Sequence, residues 1–439
     1  MRARTRARIG TRARAAVGLL LLGCAGCLGA QSLKETIGLA LAHDSGIASA
    51  AQDVQASTLE ADSAVRNVLP SLSLGGSYQY VSSVPSVTIP TGKTTFETLS
   101  LQQSNNYDFS AGFKWTPFTG FAQEAGIQQK RLQARLAANG LESTRTQVAL
   151  NTITAFRQAQ AARLQLDTLD SAADRAQLQL DQARTLERQG MARKVDIVSL
   201  SIARLDFDRR LIGAKADLAN ALEQLKTLTG KDIAVPPPPE TLSDRPLPDL
   251  KEDDLLQLKA MSIQRGILQS AGALARSRYY PVVAVSGAVH YGQPGVNPVE
   301  NEWMTYGTLG VAVSWAWNWG GDILEAQAAD HRILKLKSDE TATREQAELA
   351  YHSAVRDWSA ARDELEVLRA SLDLSRNKMQ IVKTQYDQGM ATTTDFNDAN
   401  LELAQAELQF RSQILSILLA GSRIDALSGE PPETWSVAQ

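Results

Sequence analysis

The sequence predicts a mainly α-helical protein with a small β-barrel portion, written as two tandem helix–strand–strand–long helix–helix repeats. Three observations predict it. The phrase Gln189-Gly190-Met191-Ala192 returns as Gln388-Gly389-Met390-Ala391, 199 residues later. Two long stretches, 122–189 and 322–388, contain no proline. Two pairs of short stretches alternate between apolar residues and polar or small ones.

The N-terminus comes first. Arg2, Arg4, Arg6, Arg8, Arg12 and Arg14 form a basic region without an acidic residue, and 15–23 is a short apolar run. That pattern is an export signal over 1–30, too short for a membrane-spanning helix. Without an Arg-Arg pair the Sec route is favoured. Cutting after Ala30 removes both cysteines, Cys24 and Cys27, whereas Cys24-Ala25-Gly26-Cys27 also resembles a lipoprotein box that would lipidate Cys27. Either way the exported chain has no disulfide framework. The formal charge of −3 becomes −9 without the six arginines, and no block of like charge stands out, so no nucleic-acid partner is expected.

The repeat has a longer register than its phrase. Ala161-Ala162-Arg163 matches Ala360-Ala361-Arg362, and Leu228-Thr229-Gly230 matches Leu427-Ser428-Gly429. Upstream, Pro70, Gly76 and Tyr80 match Pro281, Gly287 and Tyr291, with 81–106 longer than its counterpart. A segment that absorbs length while its flanks keep register reads as a surface loop. The expected organisation is a first repeat over 31–235, a proline-rich linker over 236–246, a second repeat over 247–430 and a tail over 431–439. Pro236-Pro237-Pro238-Pro239 cannot continue a helix and makes a stiff connector.

Each repeat opens with a helical stretch, 33–68 and about 250–278. The strands follow. Leu72, Leu74, Tyr78 and Tyr80 oppose Ser71, Ser73, Ser77 and Gln79, and Tyr107, Phe109, Phe113 and Trp115 oppose Asp108, Ser110, Gly112 and Lys114. In the second repeat Val283, Val285, Val289 and Tyr291 oppose Ala284, Ser286, Ala288 and His290. Leu309, Val311, Val313, Trp315 and Trp317 oppose Thr308, Gly310, Ala312, Ser314 and Ala316. Period-two alternation over about ten residues fits a tilted membrane-spanning strand, and aromatic residues at the ends fit its interface belts. A soluble half-buried sheet with aromatic edges is the competing reading.

The proline-free stretches read as helices of about 100 Å each, long enough for coiled coil. Gly126 and Gly140 interrupt the first. Gly190 and Gly389 break the long helices, and Asp196 and Asp395 fall near the starts of the next ones, about 195–228 and 395–427, where a carboxylate caps free N–H groups. Each phrase is a helix-hairpin tip by this reading. Four strands cannot close a barrel, and open edges in lipid are not tolerated, so the chain is expected to associate with copies of itself.

The duplicated order of elements resembles the TolC-like outer-membrane efflux protein family. The resemblance is carried by Leu69-Pro70-Ser71-Leu72, Trp115-Thr116-Pro117-Phe118-Thr119-Gly120, Trp317-Asn318-Trp319-Gly320-Gly321 and both tip phrases. It implies a homotrimer whose twelve strands form a barrel in outer-membrane lipid, continued by a periplasmic α-helical barrel. It implies an exit duct working with a periplasmic adaptor protein and an inner-membrane pump of RND or ABC type, in a tripartite efflux or type I secretion system of a Gram-negative cell. It implies that the tips at Gly190, Met191, Gly389 and Met390 dock the adaptor. Asp395 and Asp398 match positions whose carboxylates ring the closed entrance, and Tyr386 and Asp196 match two members of a latch. The latch's third member, an arginine, is Ala391 here, with Arg193 or Lys194 as substitutes from the other repeat.

No catalytic constellation is present. His43, His290, His331 and His352 lack partners at ligand spacing, and no phosphate loop, dinucleotide fingerprint or nucleophile elbow occurs. No cofactor, metal or enzyme activity is expected. His290 reads as a solvent-contacting residue of the polar strand face. The competing functional classes are a periplasmic adaptor subunit, which would carry one hairpin rather than two, and a non-conducting coiled-coil surface protein, which would lack the strand alternation.

Overall fold

A computed structural model describes residues 32–191, 193–297 and 300–435. The expected export signal, with Cys27, lies outside the described residues. The first helical stretch is divided into α1 (Leu33–His43) and α2 (Ser45–Arg66). Asp44 causes the division: its backbone is extended, and its carboxylate accepts the Ile47 N–H at 2.9 Å as the N-cap of α2. Ser32 and Glu35 form a capping box at the start of α1.

Strands β1 (Ser71–Tyr80), β2 (Ser86–Pro90), β3 (Phe96–Ser100) and β4 (Asn105–Phe118) follow. The 81–106 segment is thus not a plain loop, because β2 and β3 pair with each other as a hairpin of their own. Next come α3 (Ala122–Arg188) and α4 (Lys194–Thr229). The second repeat contributes α5 (Leu256–Ser277), β5 (Val282–Gln293), β6 (Met304–Ser314), α6 (Gly321–Asp387) and α7 (Thr393–Leu427). Its first helix starts later than expected, after a 3-10 turn at Glu252–Asp254. Its last strand ends at Ser314, so Trp315 and Trp317 lie beyond the ladder.

The four main strands form one antiparallel sheet in the order β1-β4-β5-β6. The register shifts between Trp115 and Phe118, where Pro117 has no N–H to give. Both α3 and α6 run 67 residues, about 100 Å at 1.5 Å per residue. Gly126 and Gly140 do not interrupt α3, because their neighbours hold the helical ladder across them. Contacts run laterally α6–α7–α3–α4, with α2 and α5 packed against α3 nearer the sheet.

The principal core sits around the middle of α3. Ala149, Ile153, Phe156 and Ala159 pack against Leu33 and Ile37 of α1, Leu225 of α4, Ile233, Val235 and Trp435. Small residues on α3 let three helices meet there. Toward the tips the packing continues through Ala172, Ala173 and Ala176 against Phe207, Leu211 and Ala404. The segment between α4 and α5 is pinned rather than free. Gln160 donates to the Pro236 carbonyl at 3.2 Å, Arg163 to the Val235 carbonyl at 3.1 Å, and Tyr351 to the Pro248 carbonyl at 2.5 Å. Arg245 meets the buried Asp425 carboxylate at 3.0 Å. Burial pushes the Asp425 carboxyl up, and the Arg245 hydrogen bond opposes that rise.

Candidate functional site: a two-faced sheet and two hairpin tips

The sheet separates chemistry by face. On one face stand Leu72, Leu74, Phe109, Val289, Leu309 and Val311, all exposed, Leu72 and Leu74 at 85% and 89%. The other face carries serine, threonine, glycine, alanine and the acidic or basic Asp108, Lys114 and His290. Exposed apolar surface of this extent marks a face that meets lipid or protein. At the end remote from the helices, Trp303 gathers Tyr107 (5.9 Å), Phe109 (6.3 Å) and Tyr291 (4.9 Å), with Tyr78 tilted against Tyr107 at 5.0 Å. At the helical end lie Trp115, the Phe118–Phe121 pair and the Trp315–Trp317 pair. From Tyr107 to Trp115 is roughly 27 Å of strand, on the order of the ~25 Å apolar band between aromatic girdles.

His290 is not a lone solvent contact. Its Nδ1 lies 3.0 and 3.2 Å from the two Asp108 carboxylate oxygens, and its ring stacks on Tyr306 at 4.9 Å.

The tips are built alike. Gly190 at φ 75° and Gly389 at φ 73° supply the left-handed residue of a Schellman turn. In the first, Gly190 N–H donates to Glu187 O at 2.8 Å and Met191 N–H to Leu186 O at 2.9 Å. In the second, Gly389 N–H donates to Tyr386 O at 2.9 Å and Met390 N–H to Gln385 O at 2.8 Å. Both methionines point outward, 67% and 69% exposed.

The helices that leave the tips start differently. Asp395 forms the expected cap: its Oδ2 accepts Thr392 N–H at 2.8 Å, and its own N–H donates to Thr392 Oγ1 at 3.2 Å. The Thr392 hydroxyl, with its backbone N–H, holds the Asp395 carboxyl below the usual range. Asp196 is instead gripped by Arg193 of its own turn, through Nε at 3.0 Å and Nη2 at 2.9 Å. The Arg193 hydrogen bond is the main reason that Asp196 also sits below the usual range, and the Thr393 hydroxyl adds the smallest pull. The Tyr386 hydroxyl lies 3.5 Å from Thr393 Oγ1. Thus Asp196 and Tyr386, from opposite hairpins, converge on Thr393. Asp398 is exposed one turn further along α7, and Ala391 is half-buried.

Between the hairpins, Asn400 is fully buried. It accepts from Arg175 Nε at 2.6 Å and donates to the Ala172 carbonyl at 2.9 Å, tying α7 to α3. Burial lowers the Arg175 pKa, and Glu407 pulls it back up.

Three of these features escaped the sequence. Trp303 lies outside the alternating stretches. The Asp108–His290 pair depends on the β4–β5 register, which joins residues of different repeats. Thr393 and Asn400 become visible once the two hairpins are laid side by side.

The model of the outer membrane efflux protein family matches residues 36–231 and 253–430. The chain belongs to that family. The efflux protein is similar in fold to the solved structure of CusC, with a TM-score of 0.77 at 14% identity over 91% of this chain and 92% of that one. The CmeC outer membrane channel of Campylobacter jejuni matches with a TM-score of 0.77 at 14% identity, over 93% of this chain and 87% of that one. The outer membrane protein VceC of Vibrio cholerae matches with a TM-score of 0.72 at 16% identity, over 90% and 96%. No curated protein matches the efflux protein by sequence. Family and fold are those of an outer-membrane efflux duct, and of channels rather than enzymes. No helix among the described residues is long and apolar enough to cross a membrane.

Proposed function

We propose that three copies of this chain form a passive exit duct, with twelve strands closed in the outer membrane and the α-helical hairpins extending into the periplasm. The observation that carries this reading is a sheet with one apolar face and two edge strands, β1 and β6, that pair with nothing on their outer sides among the described residues. An open edge is untenable in lipid, and joining β6 of one copy to β1 of the next removes every edge. The helical layer supports the same arrangement. Its flanking helices expose apolar stripes at heptad spacing, Val195, Val198, Ile202 and Leu205 on α4 and Val367, Leu374 and Ile381 on α6. These stripes suit contact with neighbouring copies.

In this reading the tips at Gly190–Met191 and Gly389–Met390 receive a periplasmic adaptor, behind which stands an inner-membrane pump of RND or ABC type. Energy comes from the pump, and the duct needs no cofactor. Asp395 and Asp398 of three copies line the closed entrance with carboxylates. Asp196 reaches across to Thr393 of the second hairpin, which Tyr386 braces from its own hairpin, in place of a latch through residue 391. The export signal over 1–30, the linker over 236–246 and the repeat bounds remain part of this proposal.

The test combines native mass measurement of the detergent-extracted protein with single-channel conductance in a planar bilayer. A trimer with small cation-selective currents that grow in an Asp395→Ala/Asp398→Ala variant is the expected result. A monomer, or a trimer that passes no current in either form, would overturn the reading.

A further inference from the structure

Among strand residues on the polar face, Asp108, Lys114 and His290 are the acidic and basic side chains. Lys114 stands toward the helical end, opposite Ser71 and Ser286. Asp108 and His290 stand at the other end, the outer mouth. Their pairing has a structural cause. Asp108 lies opposite Gly292, and His290 lies opposite Ser110 on one side and Tyr306 on the other. Without a side chain at Gly292, the carboxylate has room to lean diagonally to the imidazole. A Cβ there would come within 3.3 Å of Asp108 Oδ1 and 2.7 Å of the Tyr107 carbonyl. Tyr306 then fixes the ring from the far side, nearly parallel at 7°. The two side chains remain 24% and 37% exposed, so water and ions reach them.

We propose that Asp108, His290 and Tyr306 form a proton-sensitive ion-selectivity station on the lumenal face near the outer mouth, an inference that rests on the duct reading above. Histidine is the side chain that ordinarily gains charge between pH 8 and 5, while carboxylates ordinarily keep theirs. With the imidazole neutral, each copy presents one negative charge, and a trimer presents a ring of three. With the imidazole protonated, each pair becomes neutral. A ring of like charge in a narrow lumen concentrates the counter-ion, so cations are favoured in the first state and not in the second. The groups facing His290 are Asp108 from β4 and Tyr306 from β6. Ser77 and Gln79 bring no charge from β1, and β5 itself adds none on this face. The substrate class that feels this station is any small ion or charged solute leaving the duct. Acid outside the cell would weaken its preference for cations.

The experiment uses the full exported protein carrying Asp395→Ala/Asp398→Ala, so that the periplasmic end does not dominate the current. Reversal potentials are read in a potassium chloride gradient, with the barrel side at pH 8 or 5.5 and the other side held at pH 7.5. The expected result is a fall of at least about twofold in the potassium-over-chloride permeability ratio on acidification. In His290→Gln the ratio does not respond to pH, and in Asp108→Asn it is already low at pH 8. Native mass confirms that each variant is the same oligomer as its parent. A ratio that ignores barrel-side pH, or a fall that persists unchanged in His290→Gln, overturns the station while leaving the duct standing. Absence of current from every form overturns the duct reading and the station together.

Discussion

The first and second repeats carry the same turn chemistry in unlike surroundings, and the contrast shows where each is free to differ. Their tips close with the same Schellman turn and the same outward methionine. Their strand-to-helix junctions also share a left-handed aromatic residue, Phe121 at φ 71° and Trp319 at φ 49°. At the first junction Phe121 sits edge-on to Phe118 (5.5 Å) and Tyr280 (5.6 Å). At the second Trp319 is 91% exposed. The difference follows from strand order. The first junction leaves β4, inside the sheet and beside the end of α5. The second leaves β6, an edge. A repeat thus keeps its backbone solution wherever the chain must turn, and its packing is set by position in the sheet.

The largest expected effect breaks that contrast at the junctions. A Cβ on Gly120 would come 2.4 Å from the Ser277 carbonyl oxygen, whereas one on Gly320 meets nothing within 4 Å. Gly320→Ala should cost about 1–2 kcal/mol of backbone strain alone. Gly120→Ala should cost more than about 3 kcal/mol, the strain plus overpacking. Thermal melts of the two proteins, side by side, check the order.

Next comes the tie between the hairpins. Asn400→Ala removes two hydrogen bonds and strips Arg175 of a partner, for an expected loss of about 2–3 kcal/mol. Hydrogen exchange should quicken around residues 170–176 and 397–403 together. Faster exchange in α7 alone would show that the two hairpins are not coupled there.

The tip glycines sharpen the likeness. Neither Gly190 nor Gly389 has an atom within 4 Å of a new Cβ. Gly190→Ala and Gly389→Ala should therefore cost the same, about 1–2 kcal/mol each. Amide exchange at the two turns reads the cost, and a clear inequality would mean that the turns are not equivalent.

The smallest effects separate the helix starts. Thr392→Ala removes a cap and should cost about 1 kcal/mol locally. Arg193→Ala removes an exposed ion pair, and its effect should be smaller still. Both Asp395 and Asp196 titrate below the usual carboxylate range, so each stabilises its turn above the ordinary carboxylate pKa. That contribution fades as pH falls through the depressed value. Exchange at both tips should be unchanged from pH 7 to 5, after correction for intrinsic rates, and quicken below about pH 4.

Much of this was legible in the chain because helices and strands are local periodicities. The absence of proline over 122–189 and 322–388 marked α3 and α6 to within a residue, and the tip phrases marked their ends. Alternation identified the four main strands. Less was legible where one residue decides by a single hydrogen bond. Asp44 splits the first helix by capping the second, and a carboxylate of that kind occurs at many positions that split nothing. The β2–β3 hairpin was hidden because each of its strands is only five residues long, too short a run for alternation to stand out from a loop. For Asp395 the sequence indicated the cap that forms. For Asp196 the same reading failed to anticipate the grip of Arg193, because two local partners compete and side-chain geometry settles the contest.

The sequence by itself determined the duplicated order of elements, the faces of the strands and the places where the long helices must break. These depend on residues a few positions apart and on backbone rules that need no distant partner. Only the tertiary structure decided that β4 pairs with β5 across the repeats, that His290 therefore meets Asp108, that Asn400 bridges to Arg175, and that β6 ends as an edge beside an exposed Trp319. Each of these brings together residues far apart in sequence or depends on strand order, and no local pattern encodes which distant surface will bury them.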